Sequence, residues 1–266
     1  MNALIFIFSI VFAETYPRTG RVVSVYDGDT YTLADGNKIR LRGVNTPELK
    51  PAEDYGVEAR DAVRDLILGK DVKISYGTVK VDGYGRLIAS VESEDGKDVA
   101  TELLKLGYGH VFLIPPDTLE TTEMFKAQMQ AKADKKGIWS TERYIGEIHI
   151  TSFHANGPGV DEKWVNGEYL RLCNVSDTEI NLKGYTIRNN SGSVWEFPDL
   201  VVPAGHTIKL HSGKGRHQKY PEKQLEVYLQ SYTPVWDNAY DKATIFDPEG
   251  NVEDERIHAP KTPPKQ

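Results

Sequence analysis

The sequence predicts a mostly β chain with helices: a small five-stranded β-barrel with packed helices, followed by a second domain built as a β-sandwich. Three observations predict it. As far as Tyr144, short β-prone runs alternate with amphipathic helical stretches. Beyond Tyr144 the texture is nearly all β, with Asn-Gly, Asp-Pro and Pro-Ala-Gly turns between short runs. The 266 residues suit one large domain or two of ordinary size.

In the first part, Arg21 to Tyr26, Thr30 to Leu33 and Lys38 to Val44 read as strands, and Asp35-Gly36 marks the hairpin between the last two. A helix follows from Gly56 to Leu68, with Val57, Ala59, Ala62, Val63, Leu66 and Ile67 on one stripe and Gly69 to end it. Asp71 to Tyr76 and Arg86 to Glu92 complete the five strands. Asp98 caps a short helix closed by Gly107, Tyr108 to Leu113 is extended, and Pro115-Pro116 stops it. A polar helix is expected from Thr118 to Lys136, with Ile138-Trp139 as an apolar plug behind Gly137. In the second part the β-prone runs are Ile145 to Phe153, Tyr169 to Asn174, Tyr185 to Arg188, Trp195 to Phe197, Thr207 to Leu210 and Ala243 to Phe246.

Composition narrows the function. With 39% hydrophobic and 10% aromatic residues the chain has core material, so disorder throughout is excluded. No apolar run approaches the roughly 20 residues of a spanning helix, so no stable membrane insertion is expected. A net charge of −7 argues against coating nucleic acid by bulk charge, and each half, divided after Tyr144, is acidic. The single cysteine, Cys173, forbids an intrachain disulfide and any cysteine-based zinc site, and reads as a small buried apolar residue. Residues 3 to 13, ALIFIFSIVFA, have the length of a signal-peptide core, with Val11 and Ala13 where a signal peptidase reads. The expected organisation is a signal peptide over 1–13, a barrel over 18–144, a sandwich over 145–258 and a disordered Pro-rich tail over 259–266, in a secreted protein.

Three segments carry chemistry. Asp27-Gly28-Asp29-Thr30 is an acidic turn between strands. Arg40-Leu41-Arg42-Gly43-Val44-Asn45-Thr46-Pro47-Glu48 places Arg40, Arg42 and Val44 on one face, unless Gly43 bulges the strand. Asp82-Gly83-Tyr84-Gly85-Arg86 is a tight turn feeding a strand. Each alone is commonplace: a solvated hairpin, a surface ion pair, a turn. Together, two arginines, a carboxylate and an acidic turn are what metal-assisted phosphodiester hydrolysis requires. Oxygen ligands hold a hard cation, guanidinium forks neutralise charge on the phosphoryl oxygens, and a carboxylate takes a proton from water.

In this order the motifs VYDGDTYTL, IRLRGVNTPE, YGVEA, DGYGRLIA and AKADKKGIWS resemble the thermonuclease (staphylococcal nuclease-like) family from Arg18 to Ser140. The resemblance implies an OB-fold-type barrel and Ca2+-dependent cleavage of DNA and RNA. By it, Arg40 and Arg86 are the catalytic guanidiniums and Glu48 the general base. Asp29 is a calcium ligand, with Asn45 and the Thr46 carbonyl completing the protein side, and Tyr84 meets a substrate phosphate. The chain departs from the family in three places. Asn45 replaces a metal-binding aspartate, Gly83 replaces a lysine, and Tyr108 and Phe112 are left where a pair of stacking tyrosines is usual.

The second part, through GEYLRLCNVSDTEINLKGYTIRNN, WEFPDLVVPAGHTIKLHSGKG and DKATIFDPEGNVED, resembles the lamin-tail domain, an immunoglobulin-like sandwich, over Ile145 to Ile257. No acid–base or metal cluster stands out there. His206, Lys209, His211, Lys214, Arg216, His217 and Lys219 form a basic stretch, either a solvated loop or a phosphate-contacting patch, and the sandwich's partner is unknown. The expected function is a secreted Ca2+-dependent nuclease acting on DNA and RNA with little sequence specificity and carrying a noncatalytic sandwich. The alternative is a catalytically weak or inactive nuclease-like module that binds nucleic acid or a protein partner.

Overall fold

The computed structural model describes residues 16–157 and 163–259. The expected signal peptide, and the tail from residue 260 onward, lie outside the described residues. The first half contains β1 (Thr19–Val25), β2 (Thr30–Leu33), β3 (Lys38–Leu41), β4 (Val44–Asn45), α1 (Gly56–Ile67), β5 (Asp71–Val81), β6 (Leu87–Glu92), α2 (Val99–Leu106), β7 (His110–Val111) and α3 (Thr122–Ala133). The five longer strands close into a barrel in the order β1-β2-β3-β6-β5, sealed by pairing of β5 with β1; β3 and β6 run parallel. Alternation points Val22, Tyr31, Leu33, Ile39, Leu41, Val72, Ile74, Ala89 and Val91 inward, where α1 and α2 cover them with Val63, Ile67, Leu103 and Leu104. This is the OB-like barrel with helices that the sequence predicts.

β5 runs on to Val81, past the expected Tyr76, and only His110–Val111 of the run expected over Tyr108 to Leu113 pairs as a strand; two further differences bear on the site. The strand expected over Lys38 to Val44 stops at Leu41, because Gly43 adopts φ 81° and a Cβ there would collide with Leu119. The break turns Arg42 away from Arg40 into a two-pronged pair with Asp117 and onto the Thr118 carbonyl. That contact keeps Asp117 and Thr118 outside the helix, so α3 starts at Thr122, not Thr118. Lys135 and Gly137, at φ 53° and 54°, end it early.

The second half contains β8 (Ile148–His154), β9 (Tyr169–Asn174), β10 (Ile180–Asn181), β11 (Thr186–Arg188), β12 (Val194–Glu196), β13 (Val201–Val202), β14 (Thr207–His211), β15 (Leu225–Tyr228), β16 (Asp241–Phe246) and β17 (Val252–His258). Two four-stranded sheets, β15-β14-β9-β8 and β12-β11-β16-β17, face each other, with β10-β13 as a small third ladder. Leu170, Leu172, Ile208 and Leu210 of one sheet share a core with Ile187, Ala243 and Ile245 of the other. The sandwich agrees with expectation, but β10, β13, β15 and β17 go beyond the strands the sequence predicts. β17 reads VEDERIH, so charges occupy both faces and no apolar alternation marks it.

The two halves are joined by a buried cluster of Ala131, Ile138, Trp139, Tyr144, Cys173 and Val175. The Gln128 side chain spans the boundary, accepting from Val111 N–H (2.6 Å) and donating to the Val175 carbonyl (2.9 Å). Backbone bonds continue the contact: Leu113 N–H donates to Gly205 (2.8 Å), and Thr207 N–H donates to Leu113 (3.1 Å). Cys173 is fully buried here, where burial pushes its thiol well above the ordinary range, as a packing residue requires.

Candidate active site

The site forms at one end of the barrel, where the turn before β2, the end of β3 and the turn before β6 converge. Asp27 and Asp29 are both buried there. The acidic turn presses so close to α1 and Thr46 that a Cβ on Gly28 would lie 2.8 Å from Ala59 and Thr46 side-chain atoms. Only glycine permits that approach. Asp29 Oδ2 accepts from the Thr46 N–H (3.1 Å) and hydroxyl (3.2 Å), and pairs with Arg40 Nη2 at 3.2 Å. Asp27 Oδ1 accepts the Asp29 N–H at 3.1 Å. Burial first, then the neighbouring Asp29, raises the Asp27 carboxyl to about 7, against the opposing pull of that N–H and of Arg40.

Arg40 is held by backbone. Its Nη1 donates to the carbonyls of Leu41 (2.7 Å) and Val44 (2.8 Å), and Nη2 donates to Asn45 Oδ1 (3.2 Å). Its guanidinium carbon lies 5.9 Å from the ring centre of Phe112. Arg86 is positioned by Asp82, which accepts its N–H (2.9 Å) and its Nε (2.7 Å). Arg86 Nη1 donates to Thr30 Oγ1 at 3.2 Å, and that hydroxyl donates to Asp29 Oδ1 at 3.1 Å. Both arginines are thereby tied to Asp29, one directly and one through Thr30. Tyr84 stands at the rim, 76% exposed, with the Arg86 guanidinium carbon 5.5 Å from its ring centre.

Glu48 sits on the loop after β4 with its side chain open to solvent. Its surroundings are crowded and acidic. Lost solvation first, then Asp29 and Glu53, raises its carboxyl above the ordinary value, while Arg40 and Arg256 oppose the rise. Glu53 closes the loop, because its Oε2 accepts Glu48 N–H (2.9 Å) and its own N–H donates to the Glu48 carbonyl (2.8 Å). Two arginines clamp Glu53 Oε1: Arg256 of β17 at 2.6 Å and Arg143 at 3.1 Å. Arg256 Nη1 also donates to the Ile150 carbonyl (2.9 Å). The second domain therefore reaches the loop that carries Glu48.

The structure brings all seven sequence-derived site residues, Asp29, Arg40, Asn45, Thr46, Glu48, Tyr84 and Arg86, to this one place. Asp27, Asp82, Glu53, Arg143 and Arg256 have no role assigned from sequence. Asp27 and Asp82 are legible within their motifs, but nothing local links Arg143 or Arg256 to Glu53. Tyr108 packs on Tyr55 with ring centres 6.1 Å apart, and Phe112, partly buried, packs against the boundary cluster.

Among the described residues no group of three or more His, Cys, Asp or Glu side chains is placed to hold a metal ion. The donors fit a hard cation nonetheless. They are all oxygen, and of the two buried carboxylates Asp29 pairs with Arg40 while Asp27 has no ion pair among the described residues. Asp29, Asn45 and the Thr46 carbonyl are the residues that would hold it.

The family model described as Staphylococcal nuclease homologue matches residues 38–141, and the one described as Lamin Tail Domain matches 141–258. The first begins at β3, so the acidic turn reaches the matched span through barrel pairing. Among curated relatives, an "Uncharacterized endonuclease" of Escherichia coli O157:H7 is 34% identical over 143 residues, 52% of this chain and 86% of that protein. The "Thermonuclease" of Staphylococcus hyicus is 35% identical over 131 residues, 46% of this chain and 76% of that protein. "Endonuclease YhcR" of Bacillus subtilis is 35% identical over 145 residues, 48% of this chain but 12% of that much longer protein.

Proposed function

Because the chain belongs to the staphylococcal nuclease homologue family, with a lamin-tail domain after the barrel, we propose that it is an exported Ca2+-dependent nuclease that hydrolyses DNA and RNA. The observation that supports this most is that Arg40 pairs with Asp29 directly and Arg86 is linked to it through the Thr30 hydroxyl, beside Glu48.

The chemistry follows from those placements. A cation bound by Asp29, Asn45 and Thr46 would supply Lewis acidity toward a phosphoryl oxygen. Glu48, solvent-open and with a raised carboxyl pKa, takes the proton of the attacking water as the water oxygen bonds to phosphorus; the opposite P–O bond breaks with its electron pair going to the leaving oxygen, which takes a proton from solvent. Arg40 and Arg86 hold the charge that grows on the equatorial oxygens. Their tethers, backbone carbonyls for one and Asp82 for the other, fix them before substrate arrives. Tyr84 at the rim meets a flanking phosphate.

The test is to incubate the purified full chain with plasmid, denatured DNA and RNA, in Ca2+ and then in EDTA. Fragments in Ca2+ and none in EDTA support the proposal; intact substrates under both conditions overturn it in favour of a binding module. Export is checked by the mass of protein recovered from the culture medium, which should lack residues 1–13.

A further inference from the structure

Residues 47–54 carry Glu48 between two fixed ends. At one, Thr46 N–H donates to Asp29 (3.1 Å); at the other, the Tyr55 hydroxyl lies 2.9 Å from Ser140 Oγ. Between them the loop closes on itself through Glu53, which bonds Glu48 in both directions. Among the described residues the only ion pairs of this segment are those of Glu53 with Arg143 and Arg256, and neither arginine belongs to a barrel strand. The Glu53 and Arg256 side chains are 12% and 11% exposed, so water and salt screen this pair far less than a surface one.

The two arginines are themselves fixed by the sandwich. Both donate to the Ile150 carbonyl of β8, Arg256 at 2.9 Å and Arg143 at 3.3 Å. The N–H of the same Ile150 donates to Asp254 Oδ2 of β17 at 2.7 Å. Asp254, its side chain 1% exposed, also lies 2.8 Å from His149 Nδ1 and 3.8 Å from Arg143 Nε. One residue back, Glu253 accepts the N–H groups of Glu147 (2.6 Å) and Ile148 (3.0 Å). The charges of β17 thus bond the backbone of β8, a strand of the opposite sheet, and present one arginine to the barrel. Two carboxylates, Glu53 and Asp254, balance two arginines in this junction, so removing one partner leaves a charge uncompensated.

We propose that the sandwich is part of the catalytic unit: Glu53 is a positioning residue for Glu48, and β8 and β17 hold it through Arg143 and Arg256. Glu53 divides the work between its oxygens. Oε2 takes the Glu48 N–H and Oε1 takes both guanidiniums, so a shift of either arginine passes to the backbone of the residue read as general base. A proton acceptor must stay within hydrogen-bond reach of the attacking water, and a loop fixed at its ends alone does not keep it there. The catalytic role rests on the nuclease reading; the anchoring does not.

The experiment uses the full chain and two readouts. Hydrogen exchange followed by mass spectrometry reports on the amides of residues 47–56 without substrate, and steady-state cleavage of a short oligonucleotide in Ca2+ gives kcat and KM. Glu53→Gln keeps the shape of the side chain and removes the charge that both arginines meet. Arg143→Ala combined with Arg256→Ala removes the same contacts from the other side, and Lys242→Ala, which breaks a half-exposed pair with Glu255 of β17, is the control. Glu53→Gln and the arginine double variant should each exchange these amides at least about fivefold faster and lower kcat about 30-fold with KM within about twofold, as a displacement of under about 1 Å would. All three substitutions together should be no worse than the arginine double variant, because each removes one set of contacts. Lys242→Ala should match wild type in both readouts. Wild-type exchange in Glu53→Gln overturns the anchoring. Wild-type kcat in a loosened loop overturns the positioning, and so does a loss carried by KM alone or an additive loss in the triple variant. Faster exchange in the variants of a protein that cuts nothing even as wild type would fail the nuclease reading alone.

Discussion

Arg256, on the last strand of the sandwich, lies 2.6 Å from Glu53 on the loop that carries Glu48. Glu53 in turn accepts the backbone N–H of Glu48. A charge from the sandwich therefore anchors a loop of the barrel, and Arg143 supplies the second prong from the junction between them.

Arg256→Ala should lower kcat about tenfold on a short oligonucleotide while KM changes less than about twofold. Displacing a reacting group by about 1 Å costs on the order of 100-fold, and Arg143 still holds Glu53, so the loss is partial. Arg256→Lys should recover part of the rate, because one charged donor remains. Steady-state kinetics of both variants are the check, and equal kcat values for wild type and Arg256→Ala would remove Arg256 from any positioning role.

This link is invisible in the sequence for a physical reason. Asp27 to Thr30, Arg40 to Glu48 and Asp82 to Arg86 announce themselves because turn chemistry and strand register confine each group locally. The clamp needs two elements from different domains, and β17 is too charged to show the alternation that reveals a strand. Arg42 is the intermediate case. Its strand is legible, but Gly43 at positive φ redirects it to Asp117, and that depends on what packs above the glycine.

Arg40→Lys and Arg86→Lys should each lose at least about 100-fold in single-turnover rate although charge is kept. Arg40 uses two nitrogens on three acceptors, and Arg86 spans Asp82 and Thr30; a lysine offers one nitrogen and no planar fork. Glu48→Gln should lose at least about 100-fold in kcat with the fold retained, the usual scale for removing a general base. Wild-type rates in these proteins, with unchanged melting temperature, would be the contrary result.

Asn45→Asp should lower the Ca2+ concentration for half-maximal activity about tenfold. Ligand charge count governs affinity at oxygen sites, and Asn45 contributes an amide oxygen shared with Arg40 at 3.2 Å. A unit-charge contact is worth roughly 4 kcal/mol gross at an effective dielectric of 20, but desolvation and the existing Arg40 contact absorb much of it. Titration of activity against Ca2+ decides the matter, and an unmoved midpoint would place Asn45 outside the coordination sphere.

The last prediction concerns acid stability at the domain junction. His110 is fully buried, with Nδ1 2.9 Å from the Val111 carbonyl and Nε2 without a hydrogen-bond partner. Phe112, Tyr144 and His149 surround its ring at 6.1, 6.1 and 5.7 Å. Burial first, then His149, lowers its pKa to about 3; the Val111 carbonyl opposes this, while Arg40 and Arg143 add to it. The folded value lies below the ordinary 6.5, so the unfolded chain takes up the proton first as pH falls. The stability His110 contributes is therefore complete above 6.5 and is lost as pH drops from 6.5 toward 3. The loss is at most about 1.4 kcal/mol per pH unit. His110→Gln removes the titration while keeping a polar side chain near the Val111 carbonyl. Its urea midpoint should fall less than that of wild type between about pH 7 and about pH 5, whatever its starting stability. His154, His211 and His217, also lowered by burial, keep their share of the slope in both proteins, so the difference belongs to His110. Parallel pH dependences for wild type and variant would mean that His110 accepts its proton in the folded protein.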